Sequence, residues 1–151
     1  MFTIRTKSSR AFLMVIVALF LTGCVTANRN YHGITLDDAA FNFGSAKLTP
    51  AGLALLDEYT TRISKQNNLR IAIVGHSDRI GNETANRALS LKRAEATRDE
   101  MVRIGADPAS IHVRSVGSSE PLVQCNETNR EALIKCLAPN RRVEVFTNLA
   151  H

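Results

Sequence analysis

An acidic and a basic residue are the two residues of this sequence best placed to form a binding site. Asp78 lies in a polar loop flanked by glycines (GHSDRIGN, residues 75–82), and Arg93 lies on the helix predicted to follow that loop. A carboxylate and a guanidinium held apart in this way can bind the ammonium and the carboxylate of an amino-acid zwitterion. The two side chains can instead pair with each other and hold the loop, and their spacing alone favours this simpler arrangement.

The predicted helix carries further side chains on the face that bears Arg93. Asn86, Ser90 and Arg93 recur at intervals of four and three residues, which places them on one stripe of the helix. Leu89 flanks the same stripe. Asn86 and Arg93 are two turns apart, or roughly 10 Å. The loop and the stripe together predict a polar site at the end of a strand.

Other kinds of chemistry have less support in the sequence. His76, Ser77 and Asp78 are adjacent in one loop, so they cannot form a nucleophile–base relay without special geometry. The histidines are scattered and have no partner at metal-ligand spacing. Glycine motifs that bind phosphates or dinucleotides are missing. We therefore expect a binding protein rather than an enzyme, with no metal and no cofactor.

The elements that must position this site alternate between strands and helices. We predict strands over residues 36–43, 70–74, 111–116 and 142–147, long helices over 50–65 and 83–104, and a short helix over 127–136. Thr49 and Pro50 are suited to begin the first helix, and Gly105 to end the second. The order β-α-β-α-β-(short α)-β predicts an α+β fold, a two-layer α/β sandwich in which both long helices cover one face of a mixed four-stranded sheet.

The first 24 residues have the pattern of an export signal. Three basic residues precede eleven apolar ones, which is short of the roughly 20 needed to span a bilayer as a helix. Leu-Thr-Gly-Cys at 21–24 resembles the bacterial lipobox, which implies cleavage before Cys24 and lipid on its sulfur. An uncleaved anchor with an incidental cysteine is the alternative. We predict a signal peptide over 1–23, a lipidated tether over 24–34 and a folded domain over 35–149.

Charge and cysteine usage bear on the class of partner. Of the 19 Lys+Arg residues, three lie in the predicted signal, which leaves 16 against 14 Asp+Glu. This near balance, with few aromatic residues, argues against nucleic-acid binding. Cys125 and Cys136 remain once Cys24 is set aside. An even pair in an exported domain predicts one disulfide, and two free thiols are the alternative.

Several motifs, taken in order, resemble one family of envelope domains. GHSDRIG at 75–81, Leu-Ser-x-x-Arg-Ala at 89–94 and Asn-Arg-Arg-Val at 140–143 look like the C-terminal domain of OmpA and of peptidoglycan-associated lipoproteins. The stretch from Cys125 to Glu144 resembles the disulfide segment of enterobacterial OmpA. The resemblance covers about residues 36–148. It implies the two-layer sandwich and non-covalent binding of the peptidoglycan stem peptide through its diaminopimelate.

The resemblance also implies which residues form the site. Asp78 and Arg93 match the key acid and base of the family, while Asn42 stands where the family often has Asp. Arg141 matches the Asn-Arg-Arg motif, either as a ligand contact or as a brace of the pocket. Ala85 replaces a common tyrosine, which implies weaker binding. The predicted peptidoglycan-binding residues are therefore Asn42, Asp78, Asn86, Leu89, Arg93 and Arg141.

The resemblance to lipoproteins further implies a location. Val25, rather than Asp, follows Cys24, which favours the outer membrane, with the domain facing the periplasm. The protein would then link that membrane to the cell wall. The alternative function is protein–protein binding by the same fold, in which the chain is either a periplasmic adaptor or an envelope-stress sensor with protein partners.

Overall fold

A computed structural model describes residues 32–42, 44–66 and 68–149 of the chain. The strands are β1 His32–Leu36, β2 Leu69–His76, β3 Ile111–Gly117 and β4 Val143–Leu149, and the helices are α1 Pro50–Ile63, α2 Glu83–Ile104 and α3 Arg130–Cys136. This order confirms the predicted α+β fold. The predicted signal peptide and the predicted lipidation site Cys24 lie outside the described residues.

The four strands form one mixed sheet in the order β1-β4-β2-β3. β4 pairs antiparallel with both β1 and β2, and β2 pairs parallel with β3. The register places Ile73 of β2 beside Val145 of β4 and Val113 of β3. The sheet is therefore mixed and four-stranded, as predicted.

The first strand differs from its predicted position at 36–43. It begins at His32 and ends at Leu36. Asp37 ends the strand because its side chain accepts a hydrogen bond from the backbone N–H of Ala39, which turns the chain into a short 3₁₀ helix over Asp38–Ala40. The predicted strand is therefore replaced by a turn that carries Asp38 away from the sheet.

The core lies between the sheet and the two long helices. Leu56 of α1 and Met101 of α2 are fully buried against alternate residues of the strands, including Ile73 and Val145. The residues that follow Ile73 on β2 and Val145 on β4 point to the other face of the sheet, since side chains alternate along a strand. Ala72, in the middle of β2, is exposed. Only the last part of β2 is buried on both faces.

The ends of the long helices follow local signals. The Thr49 side chain accepts a hydrogen bond from the N–H of Gly52 and begins α1, and Asn82 begins α2 in the same way through the N–H of Ala85. Gly105 ends α2 with a φ of 123°, a conformation that favours glycine. The predicted bounds of α2 are confirmed, which fixes where the face bearing Arg93 begins.

Gly75 lies inside β2 rather than in the predicted loop, and it brings α2 close to the strand. A Cβ atom at this position would collide with the carbonyl oxygen of Ser90 on α2. Because interiors are close-packed, the helix can approach this part of β2 only where the side chain is absent. Gly75 therefore sets the distance between the loop that carries Asp78 and the helix that carries Arg93.

Replacing Gly75 with alanine is expected to destabilise the fold by about 1–3 kcal/mol, the usual cost of inserting a methyl group into a packed interior. Urea denaturation measures the free energy of unfolding. Ala72→Ser, at the exposed position of the same strand, serves as the control and is expected to change it by less than about 0.5 kcal/mol. Equal stability of Gly75→Ala and the wild type would show that the helix is free to move away.

The predicted disulfide is present between Cys125 and Cys136. It joins the segment before α3 to the last residue of that helix. None of the helices in the described part of the chain combines the length and the apolar character that a membrane crossing requires.

Candidate binding site

A small cavity opens where β2 ends and the loop leads into α2. Its volume is about 120 Å³, equal to about four water molecules at roughly 30 Å³ each. This is enough for the head of an amino acid. The lining residues come from five parts of the chain: Asp38, Gly44, His76, Ser77, Asp78, Asn86, Leu89, Ser90, Arg93 and Arg141.

Five of the six predicted binding residues line this cavity: Asp78, Asn86, Leu89, Arg93 and Arg141. Asn42 does not line it. The side chain of Asn42 is exposed, and its backbone N–H donates to the carbonyl of Lys47 across a narrow loop closed by the Phe41–Leu48 bridge. The 3₁₀ helix turns Asp38, not Asn42, toward the cavity.

Asp78 is a buried carboxylate at the start of the loop. Its Oδ1 accepts a hydrogen bond from the N–H of Ile80 at 2.9 Å, which fixes the turn after β2. Its Oδ2 accepts from Nη1 of Arg141 at 2.7 Å. A carboxylate offers about four acceptor positions, so these contacts leave room for a donor from a ligand.

Arg93 is a buried guanidinium that lines the same cavity. It is only 4% exposed, and its Nε donates to the carbonyl of Ser45 at 2.9 Å while Nη1 lies 3.0 Å from Oδ1 of Asp38. Its Cζ lies over the ring of Phe41, 5.0 Å from the ring centre. These contacts fix the guanidinium, with Nε used in the hydrogen bond to Ser45 and Nη1 in the ion pair with Asp38.

Arg141 connects the two acids of the cavity. Its Nε donates to Asp38 at 3.0 Å and its Nη1 donates to Asp78 at 2.7 Å and to the carbonyl of Ile134 at 3.1 Å. Burial alone would lower the pKa of Arg141, but the hydrogen bonds to Asp78 and Asp38 outweigh it and raise the pKa. Arg141 thus braces the pocket and also lines it.

Asp78 and Arg93 are therefore held by different partners. The ion pairs run from Asp78 to Arg141, from Arg141 to Asp38, and from Asp38 to Arg93. The arrangement that spacing alone favoured, in which Asp78 and Arg93 pair with each other, is wrong. The fold places Arg141 and Asp38 between the two predicted ligand-binding groups in this series of ion pairs.

Asp38 is the site residue that sequence reasoning missed. Its position within the predicted first strand gave no sign that its side chain reaches the cavity. The signal that could have pointed to it is the Asp37–Asp38 pair, since adjacent aspartates favour turns over strands. Which of the two aspartates faces the cavity depends on the turn geometry, in which Asp37 caps the turn and Asp38 does not.

The helix stripe lies along one wall, as predicted. Asn86 donates from Nδ2 to the carbonyls of Ile80 at 2.6 Å and Asp78 at 3.3 Å, so it fastens the loop to α2. Ser90 is buried and shares a hydrogen bond with Ser115 of β3 at 2.6 Å. Asn86 and Ser90 thus hold the loop and the helix in place, and Leu89 adds an apolar surface to the cavity.

His76 is the last residue of β2, not a loop residue as predicted, and it is buried. Its Nε2 lies 3.3 Å from Oε2 of Glu144, whose Oε1 accepts from Nε of Arg142 at 2.7 Å. Burial and then the Arg142 guanidinium lower the pKa of His76, and the Glu144 carboxylate offsets them only in part. The neutral imidazole is therefore the form that the fold stabilises.

The lowered pKa of His76 predicts that stability decreases as the pH falls below about 6.5. In this range the unfolded chain binds a proton that the folded chain does not, so protonation favours unfolding. Urea denaturation is expected to give a smaller free energy of unfolding at about pH 5.5 than at about pH 7.5, and His76→Gln is expected to reduce that difference. The same pH dependence in His76→Gln and the wild type would contradict this assignment.

In the part of the chain that the structure describes, no group of three or more His, Cys, Asp or Glu residues is arranged to hold a metal ion. The cavity instead combines two carboxylates with two guanidiniums, and its net charge is balanced. Such a site is suited to a small zwitterion rather than to an ion of one sign.

Comparison with known proteins adds family-level information. The OmpA family model matches residues 40–134. Outer membrane protein A of Klebsiella pneumoniae is 39% identical over 119 residues, covering 76% of this chain and 35% of that protein. The homologous protein of Escherichia fergusonii is 37% identical over 119 residues, covering 76% of this chain and 49% of its own length. The chain thus spans between about a third and a half of these relatives.

Solved structures show the same fold. The peptidoglycan-associated lipoprotein from Burkholderia pseudomallei superposes with a TM-score of 0.64 at 25% identity, covering 76% of this chain and 89% of that one. The cell wall anchor of the T6SS from Pseudomonas aeruginosa gives a TM-score of 0.64 at 24% identity, covering 80% of this chain and 82% of that one. The latter, at its lower identity, shows a likeness of fold alone.

Proposed function

Because this chain belongs to the OmpA family, we propose that it binds peptidoglycan non-covalently at the cavity between Asp78 and Arg93. The ligand group is the diaminopimelate of the stem peptide, which carries an ammonium and a carboxylate on one carbon. The similarity to a peptidoglycan-associated lipoprotein at 25% identity supports this proposal. The proposed activity is binding, without a chemical step.

The observation that carries the proposal is that Asp78 and Arg93 are both buried, face one cavity and are held by other partners. The ligand ammonium donates to the free acceptor positions of Asp78. The ligand carboxylate accepts from the remaining donors of Arg93, in the planar geometry that a guanidinium provides. Leu89 contacts the methylene chain, and Asn86 keeps the loop in position.

The binding groups are held in place before the ligand arrives. Ser45 and Phe41 fix the guanidinium of Arg93, and the N–H of Ile80 fixes the carboxylate of Asp78. A prearranged site loses less side-chain entropy on binding. Arg141 lies beside Asp78 and is a further donor to the ligand carboxylate, in addition to its role as a brace.

The proposed location follows from the amino-terminal sequence. Lipid on Cys24 anchors the chain in the outer membrane, and the folded domain faces the periplasm. From Cys24 to the start of β1 at His32 there are eight steps of the chain, which span at most about 30 Å when fully extended. The site must therefore work close to the membrane that holds the anchor.

Sedimentation with purified sacculi tests the proposal. The wild-type domain is expected to sediment with sacculi that contain diaminopimelate, and free diaminopimelate is expected to release it. Sacculi in which lysine replaces diaminopimelate lack the second carboxylate, so they serve as a matched control and should retain less protein. Equal retention on both kinds of sacculi, with no release by diaminopimelate, would favour the protein–protein adaptor instead.

A further inference from the structure

A second and larger cavity adjoins the first one across the start of the loop. Its volume is about 360 Å³, and it shares Ser77 and Asp78 with the smaller cavity. The rest of its lining comes from Arg79, the 118–126 segment, Leu137 and Asn140. A ligand that is bound to Asp78 in the small cavity can therefore extend into the large one.

The wall of the large cavity is firmly held. Oδ1 of Asn140 accepts from the N–H groups of Leu122 and Val123 at 2.8 and 3.0 Å, and its Nδ2 donates to the carbonyl of Val123 at 2.9 Å. The disulfide joins Cys125 to α3, and Nη2 of Arg79 donates to the carbonyl of Cys125 at 2.6 Å. The cavity is thus formed before any ligand binds.

Ser77 lines both cavities and carries a hydroxyl. Its Oγ is buried and, among the described residues, has no hydrogen-bond partner. A buried polar atom without a partner costs free energy, so it requires an explanation such as a group that binds there. A peptide amide that passes from one cavity to the other would satisfy this hydroxyl.

The chemistry of the large cavity matches a peptide backbone. Apart from Asp78 and Arg79, its polar lining residues are neutral, among them Ser118, Gln124 and Asn126, next to the apolar Pro121 and Val123. Neutral amides and hydroxyls donate to and accept from peptide groups in equal measure. The small cavity holds only an amino-acid head, whereas a volume above about 300 Å³ is typical of cavities that bind larger ligands.

We infer that the large cavity is a subsite for the residues next to diaminopimelate in the same stem peptide, which it binds through their backbone amides. This inference rests on the proposed function of the small cavity. The wall held by Asn140 and the disulfide would then be the reason that the domain binds a peptide more tightly than the free amino acid. The small cavity then recognises the zwitterion, and the large one recognises the chain that carries it.

Calorimetric titration with two probes tests this inference: free diaminopimelate, and a soluble four-residue stem peptide that contains it. The wild-type domain is expected to bind the peptide at least about tenfold more tightly, equal to about 1.4 kcal/mol. Val123→Trp fills the large cavity and should remove this advantage while leaving the affinity for free diaminopimelate within about twofold. Leu122→Trp is the matched control, because Leu122 is exposed on the same segment and does not line the cavity.

The outcomes distinguish the inference from the proposed function. Equal binding of both probes by the wild type, or an unchanged peptide advantage in Val123→Trp, would overturn the subsite while leaving the small cavity intact. No binding of either probe would overturn the proposed function and the subsite with it. If thermal melting shows that Val123→Trp is unfolded, Gln124→Trp, at another lining position, takes its place in the same comparison.

Discussion

Replacing Arg93 with alanine is expected to weaken binding to diaminopimelate-containing sacculi at least about 30-fold, which corresponds to about 2 kcal/mol or more. The guanidinium is the fixed donor of the cavity, held by the carbonyl of Ser45 and the ring of Phe41. Without it, the ligand carboxylate would be buried with no donor on that wall. Such truncation of one side of a buried charge contact costs about 2–5 kcal/mol.

The decrease is measured by titrating the sacculi and by calorimetry with free diaminopimelate. Arg93→Lys keeps the charge but loses the planar pair of donors, so it is expected to restore only part of the affinity. Lys92→Ala, an exposed basic residue next to Arg93 in sequence, is the matched control and should bind like the wild type. Thermal melting establishes that each variant is folded. Full affinity in a folded Arg93→Ala would exclude Arg93 as the carboxylate-binding group.

Asp78→Asn is expected to reduce the affinity for diaminopimelate by a similar factor, about 30-fold or more. The substitution keeps an oxygen that can accept from the N–H of Ile80, so the turn after β2 is preserved. It removes the negative charge that attracts the ligand ammonium. Arg141 keeps its ion pair with Asp38, so the loss of stability should be smaller than the loss of affinity.

Calorimetry with a stem peptide that contains diaminopimelate and with one in which lysine replaces it separates the two roles, because the lysine side chain carries the ammonium without the carboxylate. Asp78→Asn should weaken both ligands because both carry the ammonium. Asp57→Asn makes the same change at an exposed position of α1 and should leave binding unchanged. Were a folded Asp78→Asn to bind as tightly as the wild type, the ammonium would have to be recognised elsewhere.

Local signals explain which parts of the fold could be predicted. The bounds of α2 depend on Asn82 and Gly105, whose effects reach only a few residues along the chain. The helical spacing of Asn86, Ser90 and Arg93 likewise requires no knowledge of the rest of the molecule. The predicted first strand lies too far along the chain. The observed strand β1 ends where Asp37 favours a turn, and it is supported by pairing with β4, about a hundred residues further on, which no local pattern reveals.

The order of the elements, the helix that carries Arg93, the cysteine pair and the family resemblance could all be predicted, because each depends on local spacing or composition. The ion pairs of Arg141 with Asp38 and Asp78, across 103 and 63 positions of the chain, become visible only in the folded protein. The same is true of the exposure of Asn42 and the burial of His76. Contacts between distant segments depend on how the turn at Asp38 and the segment before β4 pack together, and no local pattern specifies that packing.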